Sequence, residues 1–222
     1  MKQQYCTYCM EDITKEQDFY SFLKQDSLLC TPCQRQLRIL NIQTKLADHK
    51  LHILYEYNEF LEGMIFQYKE GHDIALQEVF FHGVMKEINR KFRHYAIVVM
   101  PSSKEKLAER GFHPVKEMLK NCRLPVIEPF YKNENRKQSL QSIQNRAFIS
   151  QVIKKKRGFI LPKKRLLLID DVCTSGATME CAYNLLQGHT YKMEALVLCA
   201  HPLFVEMCDK KGLKKKGIFS IL

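Results

Sequence analysis

The segment from Arg165 to Thr178 constrains the fold more than any other part of the chain. It contains four consecutive apolar residues, Leu166–Ile169, and comparable runs lie at 96–100 and 195–200. Short continuous apolar runs are typical of strands that are buried on both faces of a parallel sheet. Because stretches with helical periodicity separate these runs, the sequence predicts an α/β fold with an open, mostly parallel sheet and flanking helices.

Two carboxylates and a loop of small residues follow the run at 166–169. Asp170 and Asp171 end the predicted strand, and the loop leads into a predicted helix through Thr174, Ser175, Gly176, Ala177 and Thr178. Ligands of open α/β sheets bind outside the carboxyl ends of the strands. A glycine lets the backbone turn closely around an anion, and hydroxyl groups and a helix amino terminus add hydrogen-bond donors. The loop therefore predicts a phosphate site.

Carboxylates beside a phosphate site would repel the ligand unless they have another task. Accepting hydrogen bonds from sugar hydroxyls, together with a bridging magnesium ion, is such a task. The predicted ligand is therefore a ribose 5-phosphate unit. The alternatives are a solvated pair of aspartates and a Thr-Ser-Gly turn that only caps a helix. The pattern matches neither a Walker loop nor a dinucleotide-binding fingerprint.

Four of the nine cysteines form two pairs near the start of the sequence: Cys6 with Cys9, and Cys30 with Cys33. A two-residue gap within each pair lets a tight turn direct both thiolates at one ion, and two such turns supply four ligands for zinc. Four thiolates leave no open coordination position, so the predicted zinc is structural. The alternative is a chance grouping of buried or redox-active cysteines. The other five cysteines are predicted to be core thiols.

The formal net charge of +11 predicts a polyanionic partner, with a merely basic surface as the alternative. Most of the excess positive charge lies between Lys132 and Arg165. No run of eighteen apolar residues occurs, and residues 1–6 contain no hydrophobic stretch of the kind found in secretory signals. We therefore expect a cytoplasmic protein without a membrane span.

Periodicity predicts the remaining elements. A strand is expected over 51–57 and a short strand over 125–130. Helices are expected over 34–49, 60–68, 74–92, 115–119, 139–153 and 177–186.

The segment Leu166–Thr178 resembles the motif with which type I phosphoribosyltransferases bind phosphoribosyl pyrophosphate (PRPP). The resemblance implies that Asp170 and Asp171 hold the ribose hydroxyls and that the loop at 174–178 wraps the 5-phosphate. It also implies a type I phosphoribosyltransferase-like domain over residues 51–222, after a zinc-finger module with a connecting helix over residues 1–50.

Further segments make nearly the whole chain similar to the ComF family. They are the paired cysteines, Tyr55–Tyr57, Ile65–Lys69, Met100–Ser103, Glu109–Phe112 and Lys137–Ser139, in that order. The resemblance implies a cytoplasmic competence protein, which acts in DNA uptake during natural transformation once single-stranded DNA has entered, and a ComF helicase-type partner. The sequence departs from the family where His113-Pro114 replaces Asn-Gln after Arg-Gly-Phe, and where Val98–Pro101 replaces Val-Pro-Val-Pro.

Several basic or hydroxyl side chains are further candidate contacts. Ser102, Ser103 and Lys104 stand where type I enzymes carry a pyrophosphate loop, although an ordinary turn would also explain them. Arg110 is a candidate phosphate contact or, alternatively, a surface ion-pair residue. A basic rim that includes Arg136, Arg146, Lys155 and Arg157, with aromatic residues nearby, predicts single-stranded DNA binding. A solvated charge run is the alternative.

Three functions follow from these predictions. The first is a DNA-uptake factor that binds PRPP or ribose 5-phosphate and single-stranded DNA. The second is an active phosphoribosyltransferase that transfers ribose 5-phosphate from PRPP to a nitrogen nucleophile, with Asp170 and Asp171 steadying the ribose and magnesium the leaving group. The third is a regulator that senses PRPP.

Overall fold

The computed structural model describes residues 4–13, 27–132, 153–188, 192–209 and 219. Its larger sheet contains six strands: β1 (Ile39–Leu46), β2 (His49–Glu56), β3 (Tyr95–Val99), β4 (Val126–Ile127), β7 (Arg165–Cys173) and β8 (Met193–Ala200). A separate two-stranded sheet pairs β5 (Phe130–Lys132) with β6 (Ile153–Lys155).

The strand order of the larger sheet is β1-β2-β8-β7-β3-β4. Among the described strands of this sheet, only β1 and β2 pair antiparallel, and every other pairing is parallel. The three continuous apolar runs form β3, β7 and β8 at its centre, and their apolar residues are buried. The predicted α/β class, an open and mostly parallel sheet with flanking helices, is confirmed.

Eight α-helices are present among the described residues. They are α1 (Thr31–Gln36), α2 (Glu59–Lys69), α3 (Gln77–Phe81), α4 (Met85–Lys91), α5 (Lys104–Arg110), α6 (Pro114–Met118), α7 (Ala177–Leu185) and α8 (Pro202–Asp209). Short 3-10 turns at 74–76 and 82–84 flank α3. The region predicted as one helix over 74–92 is therefore divided into consecutive short helical segments. None of the described helices is long and apolar enough to cross a membrane.

The helices cover both faces of the sheet because side chains alternate along each strand. Leu167 and Ile169 of β7 face one core, which contains α2, α3, α4, α6 and the buried cysteines of the amino-terminal module. Leu166 and Leu168 face the other core, which contains α7 and α8. Each core buries one face of the same strand, as expected for a strand in the middle layer of an α/β fold.

The helix predicted over 34–49 is wrong for most of its length. Helix α1 ends at Gln36, and β1 then pairs antiparallel with β2. Ala47 and Asp48 make the turn between the two strands with φ angles of 47° and 63°. Leu37, Leu40 and Leu46 have helical spacing, but the buried residues of β1 alternate along a strand instead. The domain division at residue 50 stays a prediction, and β1 is an edge strand of the larger sheet.

Two other predictions concern short segments. The strand predicted over 125–130 is divided between β4 and the first residue of β5. The helix predicted over 139–153 lies outside the described residues except for Ile153, which begins β6.

Candidate functional site

The four paired cysteines converge at one point. The sulfur atoms of Cys6, Cys9, Cys30 and Cys33 all lie within 4.8 Å of one another, and the sulfurs of Cys9 and Cys30 are 3.5 Å apart. A tetrahedral ion with Zn–S bonds of about 2.3 Å requires sulfur separations of about 3.8 Å. The donor set and its spacing therefore fit a metal ion held by four thiolates.

Local backbone structure directs these sulfurs inward. The N–H of Met10 donates to the carbonyl of Cys6 (3.0 Å) and closes the first turn, with φ at Met10 of 62°. The N–H of Gln34 donates to the carbonyl of Cys30 (2.9 Å) at the start of α1, which carries Cys33. Three of the cysteines are buried and Cys9 is exposed, so the cluster joins the core on one side and meets solvent on the other.

The protonation of the crowded thiols depends on burial and on backbone donors. Burial raises the pKa of Cys30 to about 11, and raises that of Cys33 further. Burial opposes ionisation of Cys6 as well, but hydrogen bonds from the backbone of Cys9, Cys30 and Tyr8 lower its pKa to about 7. Four thiolates at this separation repel one another, so a bound cation is what would stabilise them together.

The predicted phosphate loop lies at the carboxyl end of β7, beside the carboxyl end of β3. Thr174 and Ser175 are exposed, and Thr178 is half-buried in the first turn of α7. The hydroxyl oxygen of Ser175 accepts a weak hydrogen bond from the N–H of Ala177 (3.4 Å). The three hydroxyls and the amino terminus of α7 thus lie on one short loop at the edge where α/β proteins bind ligands.

Gly176 fixes the shape of this loop. Its φ of 78° lies in the left-handed region, where a side chain is strained. A Cβ atom at this position would also lie 2.8 Å from Cδ1 of Leu46 and 3.0 Å from Cε2 of Phe204. Leu46 belongs to β1, so the edge hairpin that the sequence did not predict packs directly against the loop.

Asp170 and Asp171 lie at the end of β7, and backbone donors orient both carboxylates. Oδ1 of Asp170 accepts from the N–H of Asp171 (3.0 Å), and Oδ1 of Asp171 accepts from the N–H of Val172 (2.7 Å). Oδ2 of Asp171 forms an ion pair with Nζ of Lys69, the last residue of α2. Oδ2 of Asp170 has no hydrogen-bond partner among the described residues.

Burial and neighbouring charges shift the pKa values of the groups around the acidic pair. Burial and the neighbouring Asp171 carboxylate raise the pKa of Asp170 to about 7, while Lys69 and Lys132 oppose the rise. Burial lowers the pKa of His113, which precedes α6 and feels the Asp171 charge. Near neutral pH the site therefore combines a partly protonated Asp170, the ion pair between Asp171 and Lys69, and a His113 imidazole whose charged form is disfavoured by burial.

The predicted pyrophosphate contacts lie at the amino end of α5. The hydroxyl oxygen of Ser103 accepts from the N–H of Lys106 (3.3 Å) and caps this helix, Ser102 is half-buried, and Lys104 is exposed. The guanidinium of Arg110 is buried and forms an ion pair with Glu70. The strand register brings Ser102–Lys104 to the same edge as the phosphate loop, and their role as ligand contacts stays a prediction.

The predicted DNA-binding rim is described in part. Lys155 of β6 and Arg157 beyond it are exposed, and Tyr131 of β5 is 37% exposed beside them. Phe130 is buried in the core and offers no ring for stacking. Arg136 and Arg146 lie outside the described residues.

Among the described residues, Lys69, His113 and Lys132 act on the acidic pair or are acted on by it, and sequence reasoning gave none of them a role. Lys69 ends the segment Ile65–Lys69, which carries part of the ComF resemblance, and that was the available signal. His113 stands at a position that departs from the family. Lys132 counted only as one of many basic residues in a charged stretch.

Comparison with known proteins gives two similar relatives, whereas no protein-family model matches. The chain is 27% identical over 206 residues to competence protein ComFC of Streptococcus pneumoniae, covering 82% of this chain and 93% of that protein. It is 26% identical over 131 residues to competence protein ComFC of Bacillus subtilis, covering 58% of this chain and 54% of that protein. These relatives confirm the ComF resemblance that the segments indicated.

Two solved structures with similarity to this chain are purine phosphoribosyltransferases. An adenine phosphoribosyltransferase from Saccharomyces cerevisiae aligns with a TM-score of 0.42 at 11% identity, covering 86% of this chain and 99% of that chain. A hypoxanthine phosphoribosyltransferase from Staphylococcus aureus aligns with a TM-score of 0.34 at 15% identity, covering 57% of this chain and 64% of that chain.

Proposed function

We propose that this chain is a competence protein that acts in DNA uptake and binds a phosphoribosyl ligand at the loop 170–178. The loop itself is the observation that supports this ligand. Two carboxylates lie at the end of a buried strand, and Gly176, with a φ of 78°, turns the backbone into α7. The competence role is supported by the two ComFC relatives, which are named as competence proteins. A cytoplasmic location and a ComF helicase-type partner complete the proposal, as the family resemblance implies.

In this proposal the loop and the acidic pair have separate tasks. The hydroxyls of Thr174, Ser175 and Thr178 donate to the 5-phosphate, whose charge the amino terminus of α7 favours. Oδ2 of Asp170 accepts from a ribose hydroxyl, because it has no partner among the described residues. The ligand is PRPP or ribose 5-phosphate, since both present these groups.

The metal of the cysteine cluster is zinc in this proposal. Four thiolate donors favour zinc over magnesium or calcium, which prefer oxygen ligands. A four-coordinate ion has no open position for water, so its contribution is to hold the two turns and α1 together. The residues that hold it are Cys6, Cys9, Cys30 and Cys33.

The predicted magnesium ion fits the acidic pair poorly. Both carboxylate oxygens of Asp171 already have partners, namely the N–H of Val172 and the ammonium of Lys69. Asp170 then offers the one oxygen of the pair without a partner among the described residues, and its raised pKa opposes metal binding at neutral pH. We therefore assign no step to magnesium held by these carboxylates.

Titration calorimetry with PRPP and with ribose 5-phosphate tests the proposed site. We expect wild-type protein to bind both, and Asp170→Asn to bind each about tenfold more weakly, because a ribose hydroxyl then loses its carboxylate acceptor. Glu78→Gln, an exposed carboxylate on α3, is the matched control and should bind as wild type. If wild-type protein binds neither compound, the proposed ligand class is wrong.

A second candidate function is phosphoribosyl transfer, and the position of His113 favours it, because this imidazole caps α6 where the Asp171 charge acts on it and burial lowers its pKa. A nitrogen nucleophile would attack C1 of PRPP, the bond from C1 to the pyrophosphate oxygen would break, and the imidazole would accept the proton that the nucleophile loses. Release of pyrophosphate on adding nitrogen bases to protein and PRPP would support this function. Binding of PRPP without release under the same conditions would support a binding protein.

The proposal includes weak binding of single-stranded DNA at the exposed rim. We expect the double variant Lys155→Gln/Arg157→Gln to bind an oligothymidylate about tenfold more weakly in fluorescence anisotropy at low salt. Its plot of log K against log salt should be shallower by about 1.4, because two phosphate contacts are lost at about 0.7 each. Lys86→Gln, on the exposed side of α4, is the control. Wild-type protein without affinity at low salt would contradict the assignment.

A further inference from the structure

Lys69 occupies an unusual position for a lysine. Its ammonium is paired with Oδ2 of Asp171, and the side chains of Lys69 and Asp171 are only 18% and 14% exposed. Side chains of this type are nearly always solvated unless a partner compensates for burial. The pair therefore brings a fixed positive charge to the carboxyl end of β7, where the phosphate loop begins.

Neighbouring contacts hold this ammonium in place. The hydroxyl of Tyr68 donates to the carbonyl of Pro114 (2.9 Å) and ties the end of α2 to the start of α6. The N–H of Val172 fixes Oδ1 of Asp171, so Oδ2 points at Lys69. Lys69 is thus held by a buried helix end and an oriented carboxylate at the carboxyl end of β7.

A divalent ion at an acidic pair has two effects: it cancels the repulsion between carboxylates and ligand phosphates, and it orients the ligand. The Lys69 ammonium already supplies positive charge beside Asp171. It also has three N–H donors, of which the Asp171 contact uses one. The same ammonium that neutralises Asp171 can donate to a diphosphate or ribose oxygen.

We propose that Lys69 is a built-in cation of the phosphoribosyl site, so that PRPP binds to this chain without a divalent metal ion. The inference rests on the proposed function for its ligand. It concerns a ligand-binding residue whose charge replaces the metal charge expected beside the acidic pair.

Calorimetry in the presence and absence of magnesium tests the inference. The magnesium-free buffer is prepared with a resin instead of a soluble chelator, so that the cysteine-bound metal is retained. We expect the Kd of wild-type protein for PRPP to change by less than about threefold between the two buffers. Lys69→Met should bind about tenfold or more weakly without magnesium and recover when magnesium is added, because Asp171 is then free to hold the ion.

Two further variants separate charge from folding. Lys69→Arg keeps the positive charge and should retain magnesium-independent binding. Lys86→Met removes a lysine from the exposed side of α4 and should behave as wild type. Wild-type protein that binds PRPP only with magnesium, or Lys69→Met that binds as wild type without it, would overturn the inference.

A second measurement needs no sugar phosphate. Manganese(II) is titrated into metal-loaded protein and the free ion is followed by electron paramagnetic resonance. We expect Lys69→Met to bind one ion that wild-type protein does not bind, since its acidic pair is no longer neutralised. Equal manganese binding by the two proteins would overturn the inference even if PRPP binds. Absence of PRPP binding to wild type in both buffers would instead contradict the proposed function, and the manganese titration would then still test whether Lys69 takes the place of a metal ion at the acidic pair.

Discussion

Replacing Cys6 with serine is expected to abolish metal binding and to unfold the amino-terminal module. Cys6 is completely buried and lies in the same core cluster as α2, α3 and α4. In small peptides, a structural zinc ion held by thiolates contributes about 10–16 kcal/mol to folding. With one ligand removed, the three remaining thiolates bind zinc too weakly to supply this free energy. We expect metal analysis to find about one zinc per wild-type chain and none in the variant.

The control for this prediction is another buried cysteine outside the cluster. Cys181 lies in α7 and is 5% exposed, so Cys181→Ala removes a core sulfur without touching the metal ligands. It should keep its zinc and lose about 1 kcal/mol of stability by denaturant unfolding. A Cys6→Ser protein that retains zinc and unfolds at the wild-type denaturant concentration would show that the cysteines do not form a metal site.

The centre of the sheet was predictable because its signal is local. Each of β3, β7 and β8 contains a continuous apolar run. Such a run predicts a strand that is buried on both faces, whichever strands lie beside it. The strand, loop and helix at 165–185 were predictable for the same reason, since the carboxylates, hydroxyls and glycine are consecutive in the sequence, and the phosphate-binding role of the loop stays a prediction.

The edge hairpin was not predictable in the same way. Two-residue turns with positive φ angles favour Asn-Gly or Asp-Gly, and this one uses Ala47-Asp48 at φ 47° and 63°. Without that signal, Leu37, Leu40 and Leu46 resembled a helical stripe. The pairing of β1 with β2 and the contact of Leu46 with the loop decide the structure instead. Both are tertiary interactions, which override local spacing.

The contacts between the charged groups of the site were not predictable from the local sequence either. Lys69 reaches Asp171 from the end of α2, and His113 approaches from the start of α6. Nothing in the sequence near either residue indicates the other, because the sheet brings them together. A Ser103 side chain that caps α5 likewise shows that a predicted ligand contact can also have a structural task.

Gly176→Ala should disable the phosphate loop more completely than any change of a single ligand contact. An alanine at φ 78° costs about 1–2 kcal/mol in the left-handed region. Its Cβ would also lie 2.8 Å from Leu46, which is buried and has little room to move. The loop must then shift, and the start of α7 shifts with it. We expect PRPP binding by calorimetry to weaken by more than about tenfold and stability to fall by about 2–4 kcal/mol.

Two companion variants divide this effect into its causes. Gly188 has a φ of 87°, and a Cβ added there would have no described atom within 4 Å, so Gly188→Ala isolates backbone strain and should leave PRPP binding unchanged. Adding Leu46→Ala to Gly176→Ala removes the closest contact and should restore part of the lost affinity, although Leu46→Ala itself costs about 2–5 kcal/mol of stability. If Gly176→Ala binds PRPP as wild type does, the loop does not hold the phosphate. If the double variant recovers nothing, backbone strain and the remaining contact with Phe204 are enough to displace the loop, and β1 has no part in shaping the site.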